Sequence, residues 1–241
     1  AGVRIRELEN EVGCFFDRNA DGSLHQKAFA GQTADRTVHK GDLTGIEIIN
    51  RLMEQVLSRP VEKLQEHRAI GLIPTKDGSA LSGVLMIDMR TGKFRFVRAK
   101  TVLMATGGGP TMYKYHTPSG DKTMDGLAMA LRKNSLPEQE GVFISMAQLG
   151  PENVAKKFKG MVKRCADCGF DLAGGLVEVV PTAHYFMGGV VVDVDTRTAM
   201  EGLYVAGEDA GGAHGSKRLG GNGVAHSPVL GGIAGDTMGR D

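Results

Sequence analysis

Residues 181–235 read PTAHYFMGGVVVDVDTRTAMEGLYVAGEDAGGAHGSKRLGGNGVAHSPVLGGIAG. Two apolar runs, VVVDV (190–194) and GLYVAG (202–207), predict strands bounded by turn residues. Ten glycines then follow between Gly207 and Gly235. Glycine at that density lets the backbone approach a partner closely, and the N–H groups of such loops often face an anion or a planar ligand. His184 and Arg218 flank the glycine-rich part. This is the pattern of an α/β ligand site, with strands emptying into glycine loops and a glycine-rich helix from about Gly223 to Met238.

Another strand of that kind lies upstream. KTVLMATGGG (100–109) carries a continuously apolar run, expected of a buried parallel strand, that ends at Thr106-Gly107-Gly108-Gly109. Before it, HRAIGLIP, LSGVLMID and FRFVRA are separated by turns at Asp77-Gly78 and Thr91-Gly92, which predicts an antiparallel meander. VRIRELENEV predicts a short first helix, Asp21-Gly22 a turn, and residues 25–43 a loop. Thr44 and Glu47 are spaced as a capping box, Ile49, Leu52, Met53 and Val56 as one helical stripe that should face a sheet, and Pro60 as a stop. Residues 125–134 read as a short helix and VFISM (142–146) as a strand. Pro151 opens a helix with an apolar stripe at Val154, Phe158, Met161, Val162 and Cys165.

The chain has 241 residues, 41% hydrophobic and 24% charged, with a net charge of +1. That balance is ordinary for a globular protein and gives no field to attract nucleic acid or an anionic membrane. No apolar run is of transmembrane length and the first residues do not form a signal peptide. Three cysteines argue against a disulfide framework and for a reducing compartment. Cys165-x-x-Cys168 lacks a second pair, and Cys165 lies on an apolar stripe, so buried thiols are expected rather than a metal site. Asp17, Asp21 and Gly22 hint at a calcium loop that lacks its closing glutamate.

Four motifs, ATGGG, PTAHYFMGG, GLYVAGEDAGG and KRLGGNG, stand in an order that resembles the flavoprotein subunits of succinate dehydrogenase and fumarate reductase, a family that includes L-aspartate oxidase. The resemblance covers most of the chain. It implies an α/β fold, a Rossmann-like FAD-binding domain with a β-meander and a capping domain. It divides the chain into residues 1–134 (FAD-binding domain, first part), 135–180 (capping remnant) and 181–241 (FAD-binding domain, C-terminal part). It implies FAD as cofactor and hydride exchange with a small dicarboxylate. His184 matches the histidine of the family's T-A-H-Y motif and Arg218 the arginine of its N-R-L-G motif, each a carboxylate ligand. Ala105, Thr106, Gly107 and Gly108 match the loop against FAD, Asp125 a T-G-D-G aspartate, and Glu208 the G-E pair, read as a ribose contact. Asn222, Gly223 and Val224 match the turn that faces the flavin. An iron–sulfur electron-transfer subunit is the implied protein partner, and a cytoplasmic location, at the inner face of a membrane through that partner, the implied setting.

The departures are as specific as the matches. The family's early G-x-G-x-x-G unit for the FAD pyrophosphate is not found, and the chain is expected to start after it. Asn134-Ser135-Leu136 passes almost at once to GVFISMAQLGP, so most of the capping insert, with its second histidine, its Thr-Glu pair and its proton-donating arginine, has no match. Met124 replaces a glycine, and Gly223-Val224 replaces Ser-Leu. Two other readings stay open: a truncated, non-catalytic flavoprotein-fold module, and a flavin dehydrogenase of another substrate such as a ketosteroid. The paired His184 and Arg218 suit a substrate with two carboxylates better. His214 and His226 are expected to be structural or exposed.

Overall fold

The computed structural model describes residues 1–29, 32–114, 116–120, 122–123, 142–146, 149–179, 183–215 and 218–241. Asp125 and the helix expected at 125–134 lie outside them. The chain forms two compact units. The first comprises Ala1–Met112, Gly120–Arg132 and Tyr185–Asp241, the second Tyr113–Ser119 and Lys133–His184.

The first unit is built on two apolar strands far apart in sequence. Strand β6 (Val102–Met104) pairs in parallel with β9 (Leu203–Val205), with Met104 opposite Val205. Both strands are aliphatic and bounded by glycine or polar residues, which suits a strand covered on both faces. Met104, Leu203 and Val205 are buried with Leu81 and Ala210, and Leu72, Val102, Val190, Met200 and Leu230 pack around them. Each fully buried aliphatic side chain contributes about 1.5–3 kcal/mol. The meander β3 (His67–Pro74), β4 (Leu81–Asp88) and β5 (Phe94–Arg98) is antiparallel in order, as expected. Gly78 and Gly92 turn it with φ of +73° and +69°, angles that favour glycine. It joins the core where Leu81 N–H donates to Glu201 O at 2.8 Å.

Helix α1 (Gly2–Asn10) and helix α2 (Thr44–Leu57) form where their periodicity places them. Leu8, Cys14, Phe16 and Ile48 make a small separate core there. Between these helices, the expected loop contains one short antiparallel pair, β1 (Gln26–Lys27) and β2 (Thr37–Val38). The capping box does not form. Leu43 is the N-cap without a side-chain bond, Thr44 Oγ1 accepts from Lys40 N–H, and Glu47 accepts from Phe15 N–H. The stripe expected to face a sheet is exposed at Ile49 (62%) and Met53 (50%), whereas Ile48 is buried. VVVDV is also not a strand. Val190 makes one bridge to Ala210, and Val191 and Val194 are 85% and 87% exposed. Asp193 causes this: it accepts from the N–H groups of Asp195 and Arg197 and closes a turn where a ladder would continue.

The second unit pairs β7 (Val142–Ser145) antiparallel with β8 (Leu176–Val179). Pro151 opens helix α3 (Pro151–Lys157), and Phe158 separates it from α4 (Lys159–Asp167), so the single stripe falls on two helices. Val154 and Leu172 are its buried centre. All three cysteines are free. Cys14 is buried, but Cys165 is only partly covered and Cys168 is exposed, against the expectation of two buried thiols, because Cys168 caps the C-terminus of α4. No group of three metal-ligating side chains occurs among the described residues.

Candidate functional site

The loops that leave β6 and β9 are stitched together at their carboxyl ends. Asp209 is buried, in the 3-10 turn Gly207–Asp209. Its carboxylate accepts from Thr106 N–H, from Thr106 Oγ1 at 3.0 Å and from Gly107 N–H at 3.1 Å. Burial raises its pKa, and these donors pull it back down. Two of the predicted loop residues, Thr106 and Gly107, are thus fixed by an aspartate that follows the predicted Glu208. Ala105 and Thr106 are exposed and Gly108 is buried.

Glu208 lies beside the same loop. Its side chain is 5% exposed, with Oε2 2.5 Å from Lys122 Nζ and Oε1 accepting from Phe186 N–H at 2.9 Å. Gly108 makes room for it, since a Cβ there would stand 2.1 Å from Oε1. Gly107, at φ +80°, has its nearest atom, Lys122 Cε, 3.9 Å from a Cβ position, so its backbone face is open.

Helix α5 (Asn222–Met238) starts behind Gly221, which is left-handed at φ +78°. Gln32 donates to Gly220 O at 2.8 Å and Thr37 packs on Gly221, so the 25–43 segment braces this turn. Gly223 is where Arg218 reaches the helix: a Cβ would lie 3.3 Å from the guanidinium carbon and 3.0 Å from Tyr185 Cε2. Asn222 opens the helix and Val224 is 45% exposed.

Arg218 stacks on Tyr185, its guanidinium carbon 4.4 Å from the ring centroid. Nη1 donates to Leu219 O at 3.1 Å, while Nε is buried without an acceptor among the described residues. A buried donor without an acceptor is costly, and here it belongs to a residue suited to carboxylates. Tyr185 Oη in turn lies 3.3 Å from His214 Nε2 and 3.2 Å from His226 Nδ1. Burial, and secondarily Glu208, pushes its pKa up to about 12. Burial also lowers His214, with Arg218 adding to it, and lowers His226, with His214 adding to it. At neutral pH the three are therefore a neutral cluster. Of the two alternatives expected for His214 and His226, structural or exposed, both take the structural one. Their link is Tyr185, which stands beside His184 in the T-A-H-Y motif but was given no role of its own.

His184 belongs to the second unit. It is exposed, and its Nδ1 is hydrogen-bonded to Thr117 Oγ1. Thr117 N–H donates to Ala183 O at 3.1 Å, which ties the two segments together. The sequence-predicted residues thus divide. Thr106, Gly107, Gly108, Glu208, Arg218 and Gly223 lie in the first unit, and His184 in the second.

These residues are compatible with FAD: the Cβ side of Gly107 is open to close approach, Gly221 makes a left-handed turn before the helix, and Arg218 Nε is a donor without an acceptor among the described residues.

Comparison with known proteins points to the same cofactor. The family model described as FAD binding domain matches residues 1–134 and 128–224. One component of the CoM/CoB fumarate reductase of Methanothermobacter marburgensis is 30% identical over 305 residues, covering 96% of this chain and 55% of its own length. L-aspartate oxidase 2-a of Nicotiana tabacum is 30% identical over 309 residues, 94% of this chain and 48% of its own. Both matched spans exceed the 241 residues of the chain, so these relatives carry internal stretches without a counterpart here. The chain spans about half the length of the curated relatives it matches. In fold, FrdA of E. coli quinol fumarate reductase superposes with a TM-score of 0.84 at 23% identity, covering 99% of this chain and 55% of that one. Sdh1 of Mycobacterium smegmatis superposes with a TM-score of 0.80 at 27% identity, covering 98% and 54%. By its family match the chain belongs to the FAD binding domain family, whose cofactor is FAD, and its relatives are flavoproteins of the fumarate reductase kind together with L-aspartate oxidases.

Proposed function

We propose that this chain forms the flavin-facing part of an FAD-dependent oxidoreductase acting on a small dicarboxylate of the succinate or fumarate type. The observation that carries the reading is Arg218, braced on Tyr185 at the Gly221–Gly223 turn with a buried Nε that has no acceptor among the described residues. When bound, FAD supplies a two-electron, hydride-exchanging centre. The chain's own residues would do the rest. Ala105, Thr106, Gly107 and Gly108 would line the cofactor by close backbone approach, with the N–H groups of Thr106 and Gly107 already held by Asp209. Glu208, Asp125, Asn222, Gly223 and Val224 belong to the same proposed cofactor set. Arg218 would grip one carboxylate in a fork and stabilise charge that develops on it. His184, whose Nδ1 is engaged by Thr117 Oγ1, would bind the other carboxylate through Nε2.

The proposal keeps the division into residues 1–134, 135–180 and 181–241, the middle one a capping remnant. It also includes an iron–sulfur electron-transfer partner and a cytoplasmic setting in which that partner provides any membrane attachment. No helix among the described residues is long and apolar enough to cross a membrane.

A second reading, a non-catalytic module, draws on one observation: both oxygens of Glu208 are already engaged within the protein. A flavin titration separates the two. Flavin uptake followed by dicarboxylate turnover supports the oxidoreductase, and protein that takes up no added FAD refutes it. In flavin-loaded protein, Arg218→Ala is expected to retain flavin absorbance and lose turnover by at least about a hundredfold, as removal of one charge-stabilising donor does elsewhere. Turnover within a few fold of the parent would remove Arg218 from its role.

A further inference from the structure

The short pair of strands β1 and β2 carries the brace on the Gly220–Gly223 turn, and two histidines close that pair. We infer that His25 and His39 form a pH-sensitive latch on the brace, shut by one N–H···N bond between the rings and opened by a proton on His39. The latch is a property of the chain itself, and its effect on flavin rests on the function proposed above.

Register brings the two rings together. Gln26 pairs with Val38 and Lys27 with Thr37, so His25 and His39 stand opposite each other one step further along. His25 Nδ1 lies 2.7 Å from His39 Nε2, with the rings edge to face at 82°. Asp17 ties the two segments together: its N–H donates to His39 O and its carbonyl accepts from His25 N–H, each at 2.8 Å. Its Oδ2 accepts from Gly41 N–H at 2.7 Å and stands 3.2 Å from His39 Nδ1. A carboxylate so close favours the His39 proton on Nδ1, which leaves Nε2 bare to accept from His25 Nδ1–H. A proton added at His25 Nε2 keeps that bond. A proton added at His39 Nε2 destroys it and sets two N–H groups against each other.

The closed pair resists that second proton. His39 is 6% exposed, and burial lowers its pKa from 6.5, with Lys27 adding to the fall, Asp17 opposing it and His25 adding again. Lys40 Nζ stands 3.6 Å from Asp17 and Asp42 3.8 Å from Lys27, so the charges around the pair are themselves partly offset. The opened pair binds the proton more readily than the closed one, and a fall in pH below 6.5 therefore favours opening.

What the latch holds is the turn. Thr37, two residues before His39, donates from Oγ1 to Gln32 Oε1 at 3.0 Å, and Gln32 Nε2 donates to Gly220 O at 2.8 Å. Thr37 Cγ2 would stand 3.1 Å from a Cβ at Gly221. A ladder of two residue pairs is marginal alone, so the bond between the rings is a large part of what keeps β1 on β2. Without it Thr37 and Gln32 leave Gly220 and Gly221, and the left-handed turn that starts helix α5 loses its brace.

NMR of the full chain without flavin tests the latch. Between pH 7.5 and 5 the His39 ring, the Gln32 side-chain amide and the Gly221 N–H should move with one midpoint, below 6.5. In His39→Gln, which has no titrating ring there, the Gln32 and Gly221 signals should stay in place. Signals that stay still in the parent while His39 titrates overturn the latch, and so do signals that move alike in parent and variant. His25→Gln keeps His39 and removes a neighbouring charge, so the shared midpoint should rise towards 6.5; an unchanged midpoint also overturns the latch. Flavin affinity is the separate readout. From pH 7.5 to 5.5 the parent should lose affinity for FAD by about 5–150-fold, the usual range of coupling between two sites, and His39→Gln should lose much less. Equal losses in the two proteins overturn the effect on flavin. A parent that takes up no FAD at any pH overturns the proposed function and that effect with it, while the NMR result still decides the latch.

Discussion

At the scale of single residues, Gly108 is constrained by the side chain of Glu208. A methyl group there would meet Glu208 Oε1, so Gly108→Ala must move the carboxylate away from Lys122 and Phe186. The expected cost is on the order of 1–3 kcal/mol in urea unfolding, with weakened flavin uptake in the same variant. An unchanged unfolding midpoint would mean that Glu208 is not fixed by this contact. His184, Arg218 and the glycine loops were legible in the sequence because each sits in a short, ordered motif. Asp209, Tyr185, His214 and His226 were not, because their meaning lies in contacts with residues distant in sequence. Asp209 meets Thr106 across 103 positions, and Tyr185 meets His226 across 41. No local period encodes such a pair. The nearest sequence signal was adjacency, Asp209 after Glu208 and Tyr185 after His184.

At the scale of elements, the loop that starts at Gly189 is locked against the one that follows β9. Val190 N–H donates to Asp209 O at 2.8 Å, and Gly211 N–H to Val190 O at 3.0 Å. A Cβ at Gly189 would lie 2.3 Å from Asp209 O and 2.7 Å from Gly211 N. Both are backbone atoms, so no side chain can swing aside. Gly189→Ala is expected to destabilise by about 2–4 kcal/mol and to loosen the Asp209 stitch, read as a lower urea midpoint and faster amide exchange at Thr106 and Gly107. Equal exchange rates in both proteins would refute the link. The elements that the sequence foretold are those whose pattern is self-sufficient: a meander written by two glycine turns, two buried aliphatic strands, and a glycine-rich final helix. Those it misplaced depended on competition. Val190–Val194 has strand composition, but Asp193 captures the backbone first. Thr44 and Glu47 are spaced for a cap, but each finds a different backbone partner.

For the molecule as a whole, buried histidines set the response to acid. His39, His214 and His226 all have lowered pKa values, chiefly through burial. His39 faces Lys27 and His25, and Asp17 Oδ2 lies 3.2 Å from its Nδ1 but not in line for a hydrogen bond. The unfolded chain therefore binds protons at these sites before the folded one does. Stability should be complete above the ordinary histidine value of 6.5 and fall as pH drops through it towards the folded values. Asp209, raised by burial, acts in the opposite sense: its contribution is lost as pH rises from the carboxylate range through its folded value. Thermal unfolding from pH 7.5 to 5 should show a falling Tm, and His226→Gln should flatten part of the slope. A Tm independent of pH over that interval would show that these imidazoles are not protected from protonation.

The pairing of β6 with β9 also has a consequence for how the chain is made. Strand β6 ends at Met104 and its partner begins at Leu203, so the ribosome must add roughly a hundred residues before the ladder can close. Helix α1 waits longer, since Arg4 is held by Asp236 and Gly232 gives it space. During that interval the meander can fold locally while an aliphatic strand stands unpaired. Synthesis stalled between residues 105 and 202 should accordingly leave nascent chains that bind holdase chaperones, and release of Val205 from the exit tunnel should end that binding.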